Sequence, residues 1–453
     1  MLEPSKYSKA LSEVNLETFR DAFVSEPRFQ TAMNAVTKNS VNSVSMNRNA
    51  VVRNNHTYSH TIKVGATTNQ HRSGRCWLFA GLNLFRNLAA EKMNLEEIEL
   101  SQTYLMFWDK LEKSNYFLES MLQTLNEPTD GRLISWLIAS PIQDGGQWDM
   151  FVNLVKKYGV VPKDAMPETE SSGSSRQMND NITTKLREFA VRLRKGAVAG
   201  KTMIELSAQK NSMLNEIYRM LCIHLGVPPT EFLWQWRDKD KAFHRDGILT
   251  PKAFMSKYIE FDLDSMVCLI HCPQKETPYN KMYTVGYLGN VVEGYAVRYL
   301  NVEMPILKQA AKEMIKDGKS VWFGCDVGKM FDRDIGLLDA ELYDYNAIYG
   351  VEFTMDKVER LDYGTSLMTH AMVLTGVDLD DDDKPNKWRI ENSWGDKGGD
   401  KGFMSMTDEW FDEYNYEVAV DKKHLSEELL SILNSESVVL PPWHPMGSLA
   451  SSD

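Results

Sequence analysis

The hydrophobic pattern of this chain changes character once, near residue 265, and that change limits the folds open to it. Before it, long apolar and aromatic segments run around Trp77, Tyr104, Phe107 and Trp136. Leu186, Phe189, Ala190 and Leu193 then follow the i, i+3, i+4, i+7 spacing of an amphipathic helix. After it, short β-like runs take over, among them MVCLI, KSVWFG, MVLTGV and KWRIENSW. Helices gathered in one half and strands in the other predict an α+β architecture. The run from Glu170 to Ser175 reads as a linker that opens a helical insertion. The proline-containing tail reads as an extended arm rather than a helix.

Charge and cysteine usage narrow the classes of function. The formal charge is −12, which argues against bulk binding to nucleic acid or an anionic membrane, since that affinity comes from Lys and Arg. No apolar run approaches the ~20 residues of a membrane span. The first residues carry no apolar core of a secretory signal, so none is expected. The 5 cysteines are scattered, the usage of a reducing compartment, which predicts a cytoplasmic protein.

Three residues carry the chemistry. In Gln70-His71-Arg72-Ser73-Gly74-Arg75-Cys76-Trp77, a Ser-Gly turn feeds a helix-period run, so Cys76 falls at or near a helix N-terminus. There the helix dipole and free N–H groups favour a thiolate. Taken alone, a lone cysteine is more often an inert core residue than a nucleophile. His370 opens the buried-strand pattern His370-Ala371-Met372-Val373-Leu374. Strict alternation from Lys387 to Trp394 puts Trp388, Ile390, Asn392 and Trp394 on one strand face. An amide on that face needs a partner, and neighbouring strands would let Asn392 accept the His370 N–H. Thiolate, imidazole and amide then follow the logic of a catalytic triad.

These motifs, in this order, resemble the papain-like cysteine peptidases. Asn392-Ser393-Trp394-Gly395 followed by Lys401-Gly402-Phe403 is similar to that family's strand after the asparagine. More narrowly, the chain resembles the bleomycin hydrolase and aminopeptidase C branch from end to end. The matching segments include Leu100-Ser101-Gln102, Asp144-Gly145-Gly146-Gln147-Trp148-Asp149, Lys157-Tyr158-Gly159-Val160, Ser366-Leu367-Met368-Thr369-His370-Ala371 and Pro445-Met446-Gly447. The resemblance implies a papain-like fold with a helical left half and a β-rich right half. It divides the chain into an N-terminal helical lead (1–65), a helical half with the nucleophile (66–169), and an oligomerising insertion (170–265). A β-rich half with His and Asn (266–430) and a C-terminal arm in the cleft (431–453) follow.

The resemblance also implies roles. Cys76 is the nucleophile, His370 the base and then the acid, and Asn392 the residue that orients it. Gln70 donates its side-chain amide to the oxyanion beside the Cys76 N–H, Trp394 shields the His–Asn bond, and Gly145-Gly146 receive the substrate backbone. No metal or other cofactor is implied. Relatives assemble as homohexamers, and an arm ending at Ala450 would offer its carboxylate to the free amino group of a peptide. The expected activity is a cytosolic cysteine aminopeptidase. Two departures bear on this: Ser448 stands where the branch typically has Ala, and Ser451-Ser452-Asp453 run past Ala450. Self-trimming by Cys76 back to Ala450 is the expectation, and a cysteine endopeptidase with an altered arm is the alternative. A nucleic-acid-binding protein is a weaker alternative, prompted by the basic helix with Lys185, Arg187, Arg192, Arg194 and Lys195; a solvated face or subunit contact explains that helix better. Cys268, His271 and Cys272 lack a second ligand pair and read as core, and Asp378 to Asp383 reads as a hairpin turn.

Overall fold

A helix that is apolar on every side has to be enclosed, and Cys76–Lys92 is such a helix: 13 of its 17 residues are buried. In the computed structural model, which describes residues 11–449, it runs through the middle of the helical half. Gly81 allows the neighbouring helix Trp148–Tyr158 to close on it, because a Cβ there would meet the Phe151 ring at 2.6 Å. The long helix Gln102–Gln123 starts at Ser101, whose side chain accepts from the Tyr104 N–H. Helices Arg176–Val198 and Met203–Leu225 pack against it and share its hydrophobic core. The second is set by a capping box between Thr202 and Glu205.

The insertion departs from the helical expectation in one respect. Phe232–Arg237 and Phe243–Leu249 form an antiparallel hairpin, and the first strand alternates half-buried and exposed residues throughout. Its two-residue period, in FLWQWR, is only six residues long and lies between helices. In the basic helix, two of the charges are engaged within the chain. Arg187 donates to the carbonyls of Ile138 and Ala139, and Arg194 to those of Thr124 and Glu127. These two charges hold the helix against its own chain.

Most of the β-rich half is one mixed sheet. Its order is Val438–Leu440, Lys281–Val285, Tyr299–Asn301, Met266–Ile270, Asn415–Asp421, Val321–Cys325, His370–Leu379, Pro385–Glu391, Phe403–Thr407, Leu337–Leu338, Phe331–Asp332. One face, with Trp322, Ala371, Val373 and Ala419, joins the helical core; the other closes over its own core around Phe323, Met372, Trp388 and Trp410. The site therefore lies where the first face meets the helices. The acidic run is the turn of the hairpin between the His370 and Asn392 strands: Asp380 N–H donates to Lys384 O at 2.9 Å, and Asp383 takes φ 62° while binding Lys312. Within the cysteine cluster, Cys268 is buried in its strand and His271 Nδ1 lies 3.1 Å from Val302 O.

The helix Glu13–Val24 buries none of its residues. The tail adds Val438–Leu440 parallel to Lys281–Val285, makes a single 3-10 turn at Pro445–Gly447, and is extended to Leu449. Ala450 and residues 451–453, on which the carboxylate and trimming expectations rest, lie outside the described residues. Among the described residues no helix is long and apolar enough to cross a membrane.

Candidate active site

Cys76 is the first residue of its helix, so its own N–H and the next are free of intrahelical partners. The loop that delivers it is built from buried polar contacts. Ser73 Oγ donates to Gln70 O at 2.6 Å, and Arg75, fully buried, donates to Ser73 Oγ and to both carboxylate oxygens of Glu168. Asp144 holds the loop from the other side. One oxygen accepts from Gly74 N–H at 2.9 Å and from Ser175 Oγ; the other accepts from Lys110 Nζ and Asn179 Nδ2. Burial alone would raise this carboxyl, but the Lys110 charge and these donors hold it well below the usual carboxylate range.

The expected strand neighbours are neighbours. His370–Leu379 and Pro385–Glu391 pair antiparallel, and His370 Nε2 lies 2.9 Å from Asn392 Oδ1. An oxygen there requires the proton on Nε2, a tautomer assigned from the network, and leaves Nδ1 for the thiol side. Asn392 Oδ1 also accepts from Ser393 N–H at 2.7 Å, which fixes the amide. Trp394 covers His370 with ring centroids 4.9 Å apart, and the Arg333 guanidinium lies 5.1 Å from the Trp394 ring centroid. The two halves are stitched beside the site: Gln70 N–H donates to Ser393 O and Gly395 N–H to Thr68 O, each at 2.8 Å.

Burial dominates the electrostatics. It pushes the Cys76 thiol up to about 12, although the Ala371 and Trp77 N–H groups aimed at the sulfur pull the other way. It brings His370 down to about 4, against the Asn392 hydrogen bond, which raises it. Burial thus disfavours either charge alone, and an ion of one group would favour the ion of the other.

The remaining expected residues have structural duties as well. Gln70 Nε2 donates to Ser73 O at 2.7 Å, which orients the amide and leaves its second hydrogen. Gly145 O accepts from Lys113 Nζ at 2.6 Å. A Cβ on Gly146 would meet the Trp77 ring at 2.4 Å, so close packing alone requires glycine. The Gly146 N–H and C=O have no partner among the described residues, as expected of an edge open to an extended strand.

Sequence reading missed the grip on the arm. Gln147 Nε2 donates to Ser448 O and Ser448 Oγ donates to Met368 O, both at 2.7 Å. Arg132 lies 3.9 Å over the Trp443 ring. The arm thus runs between the helical half and the segment leading to His370. It also missed Arg86–Glu391, a buried ion pair at 2.5 Å joining the Cys76 helix to the residue before Asn392. Neither has a local sequence signal; each joins segments far apart in the chain.

Comparison with known proteins identifies the family. The model of the peptidase C1-like family matches residues 10–447. The bleomycin hydrolase of Homo sapiens is 46% identical over 435 residues, covering 94% of this chain and 96% of the human protein. The aminopeptidase C of Listeria monocytogenes is 45% identical over 435 residues, 96% of this chain and 98% of its own. The crystal structure of PepW from Lactobacillus rhamnosis superposes with a TM-score of 0.96 at 45% identity, covering 97% of this chain and 99% of that one.

Proposed function

The chain belongs to the peptidase C1-like family, and from that membership we infer that Cys76, His370 and Asn392 make it a cysteine aminopeptidase of the papain-like kind. The observation that carries the assignment is the His370 Nε2 to Asn392 Oδ1 bond on adjoining strands, with Cys76 beside the Ala371 N–H. His370 Nδ1 takes the thiol proton as sulfur attacks the peptide carbonyl. The oxyanion is met by the Cys76 N–H and the second Gln70 Nε2 hydrogen, donors worth about 2.7–4 kcal/mol of barrier in acyl transfer. His370 then protonates the leaving amine, and water releases the acyl group from sulfur by the reverse proton path. Trp394 keeps water from the His–Asn bond, and Gly145-Gly146 align the substrate backbone.

The arm supports amino-terminal trimming over internal cleavage. Its hydrogen bonds to Gln147 and Met368 lay a peptide segment along the cleft, and Ala450 follows directly after the last described residue. We take the Ala450 carboxylate as the group that pairs with a substrate's free amino group. The working form is a cytoplasmic homohexamer; the uncovered apolar face of Glu13–Val24, with Phe19 57% exposed, supports subunit contacts. Peptides with a free amino group should be hydrolysed at least ~10² times faster than the same peptides N-acetylated, the scale of an unpaired buried charge. Equal rates would favour the endopeptidase reading.

A further inference from the structure

His370 sits where a ladder ends. It is the first residue of its strand, and its partner Cys325 is the last residue of Val321–Cys325. On its other side Cys325 pairs with Asn415, the first residue of Asn415–Asp421. The ends of elements fray at the lowest cost in free energy, so a base in this position needs support from beyond the ladder. The four residues before it, Ser366 to Thr369, form neither helix nor strand. One backbone bond extends the pairing past His370, from Thr369 N–H to Cys325 O at 2.9 Å.

The support comes from Asp326, the buried residue that follows Cys325. Its Oδ2 accepts from Ser366 Oγ at 2.8 Å and its Oδ1 from Thr369 Oγ1 at 3.3 Å. The Leu367 N–H donates to the same carboxyl group. One side chain thus holds three of the four residues that lead into the base. The fourth, Met368, gives its carbonyl oxygen to Ser448 of the arm instead.

Asp326 is itself anchored. Its N–H donates to Tyr414 O at 2.9 Å, and its carbonyl accepts from Lys329 N–H at 3.3 Å. Ser366 has one hydroxyl hydrogen, which goes to Asp326, so Tyr416 Oη at 2.6 Å donates to Ser366 Oγ. Tyr416 belongs to Asn415–Asp421, and the grip therefore ties together the ends of three neighbouring strands.

The residue type fits this duty. Burial pushes the Asp326 carboxyl above its ordinary range, against the Ser366 hydroxyl, the Lys329 charge, the Leu367 N–H and the Thr369 hydroxyl, which draw it down. An acidic group is costly to bury unless its acceptors are used, and here they are used on one segment. A carboxylate accepts on two atoms and donates on neither, so it can take three donors at once. Asparagine would present N–H groups to one side of the grip.

We propose that Asp326 is a positioning residue for hydrolysis, which sets the placement of His370 by holding Ser366, Leu367 and Thr369. It acts through His370 and rests on the reading of His370 as the base.

The test uses the full chain and a short peptide with a free amino group. Asp326→Ala should lower kcat at least ~10-fold while KM stays within about threefold, the split expected of a misplaced base. Thr369→Val removes one hydroxyl of the grip and should cost about fivefold in kcat, the worth of one net hydrogen bond, whereas Thr369→Ser should stay within about twofold of wild type. Met314→Ala is the control for general loosening: Met314 is fully buried in the core on the other face of the sheet. Its Tm should fall while its kcat stays near wild type. Wild-type kcat in a folded Asp326→Ala chain, or a loss no greater than in Met314→Ala, overturns the proposal. If Asp326→Ala does not fold, the Thr369 variants decide, and equal kcat for Val and Ser overturns it. Hydrolysis retained by His370→Ala would overturn the reading of the base; hydrolysis lost there, with kcat unchanged in Asp326→Ala, overturns this proposal alone.

Discussion

Cys76 and His370 are both held where their charged forms are disfavoured, and this sets the pH dependence. With His370 brought down to about 4, the imidazole is already free to accept a proton well below its ordinary 6.5. The acid limb of kcat/KM should therefore be centred below pH 6.5. The alkaline limb should lie above the ordinary thiol value of 9, because burial pushes Cys76 up to about 12. Both limbs belong to the coupled pair rather than to either residue. Losing the Asn392 hydrogen bond removes the one contribution that raises His370, so Asn392→Ala should move the acid limb lower. It should also lower kcat on the order of 10²-fold, the scale of a misplaced catalytic group. An acid limb at or above 6.5 in the wild type would show that burial does not govern this pair. Cys76→Ala should abolish hydrolysis and leave the melting temperature nearly unchanged, since the side-chain volume lost is small. These three residues were legible because each sits on a local pattern: a turn into a helix, the start of an apolar strand, an alternating face. The burial that shifts both groups was not legible, because it depends on how completely two separate segments exclude water.

Between elements, the alignment of the Cys76 helix with the Asn392 strand depends on Arg86 and Glu391. Burial raises Glu391 to about 7, against the pull of Arg86 and Arg389. Replacing Arg86 with Leu leaves a buried carboxyl without its partner, a loss of about 3–5 kcal/mol. The sign of its pH dependence follows from linkage. A carboxyl raised above its unfolded value contributes stability below pH 4.5 that is lost as pH rises through the folded pKa. Thermal melts of Arg86→Leu should therefore show a larger deficit at pH 8 than at pH 5, and adding Glu391→Gln should flatten that difference. The arm is held by weaker contacts. The Ser448 hydroxyl, which the branch it resembles typically lacks, is worth about 1 kcal/mol, or roughly fivefold in the docked population. Ser448→Ala should raise cleavage of N-acetylated peptides by about that factor, with little change for free peptides. Unchanged blocked-peptide rates would mean that this hydroxyl does not hold the arm shut. Neither contact could be read from the sequence. Arg86 lies inside an apolar helix run and Glu391 inside an alternating strand, and nothing local links them; Gln147 and Ser448 meet only through the fold.

For the whole molecule, the reacting groups all come from one chain, whereas the surface is not self-sufficient. The helix Glu13–Val24 has a capping box between Ser12 and Asn15, yet Leu16, Phe19 and Phe23 are 50%, 57% and 40% exposed. A helix of 12 residues is marginal by itself, and apolar packing normally supplies its stability. Further apolar residues are exposed on the insertion: Ile204 at one end of Met203–Leu225, and Ile223 and Val227 at the other, are 83%, 77% and 72% exposed. Exposed apolar surface of this kind marks a contact with another molecule, and the proposed homohexamer would provide one. Aspartate at both Phe19 and Phe23 would bury two charges in such a contact, so Phe19→Asp with Phe23→Asp should yield a smaller species by light scattering. Its far-UV circular dichroism should remain close to wild type, because these side chains pack on no buried core. The dissociated chain should still hydrolyse a short free peptide, since Cys76, His370 and Asn392 meet within one subunit. Persistence of the wild-type mass would mean that the assembly uses another surface. Loss of hydrolysis in a folded, dissociated chain would mean that a neighbouring subunit helps to hold the site together.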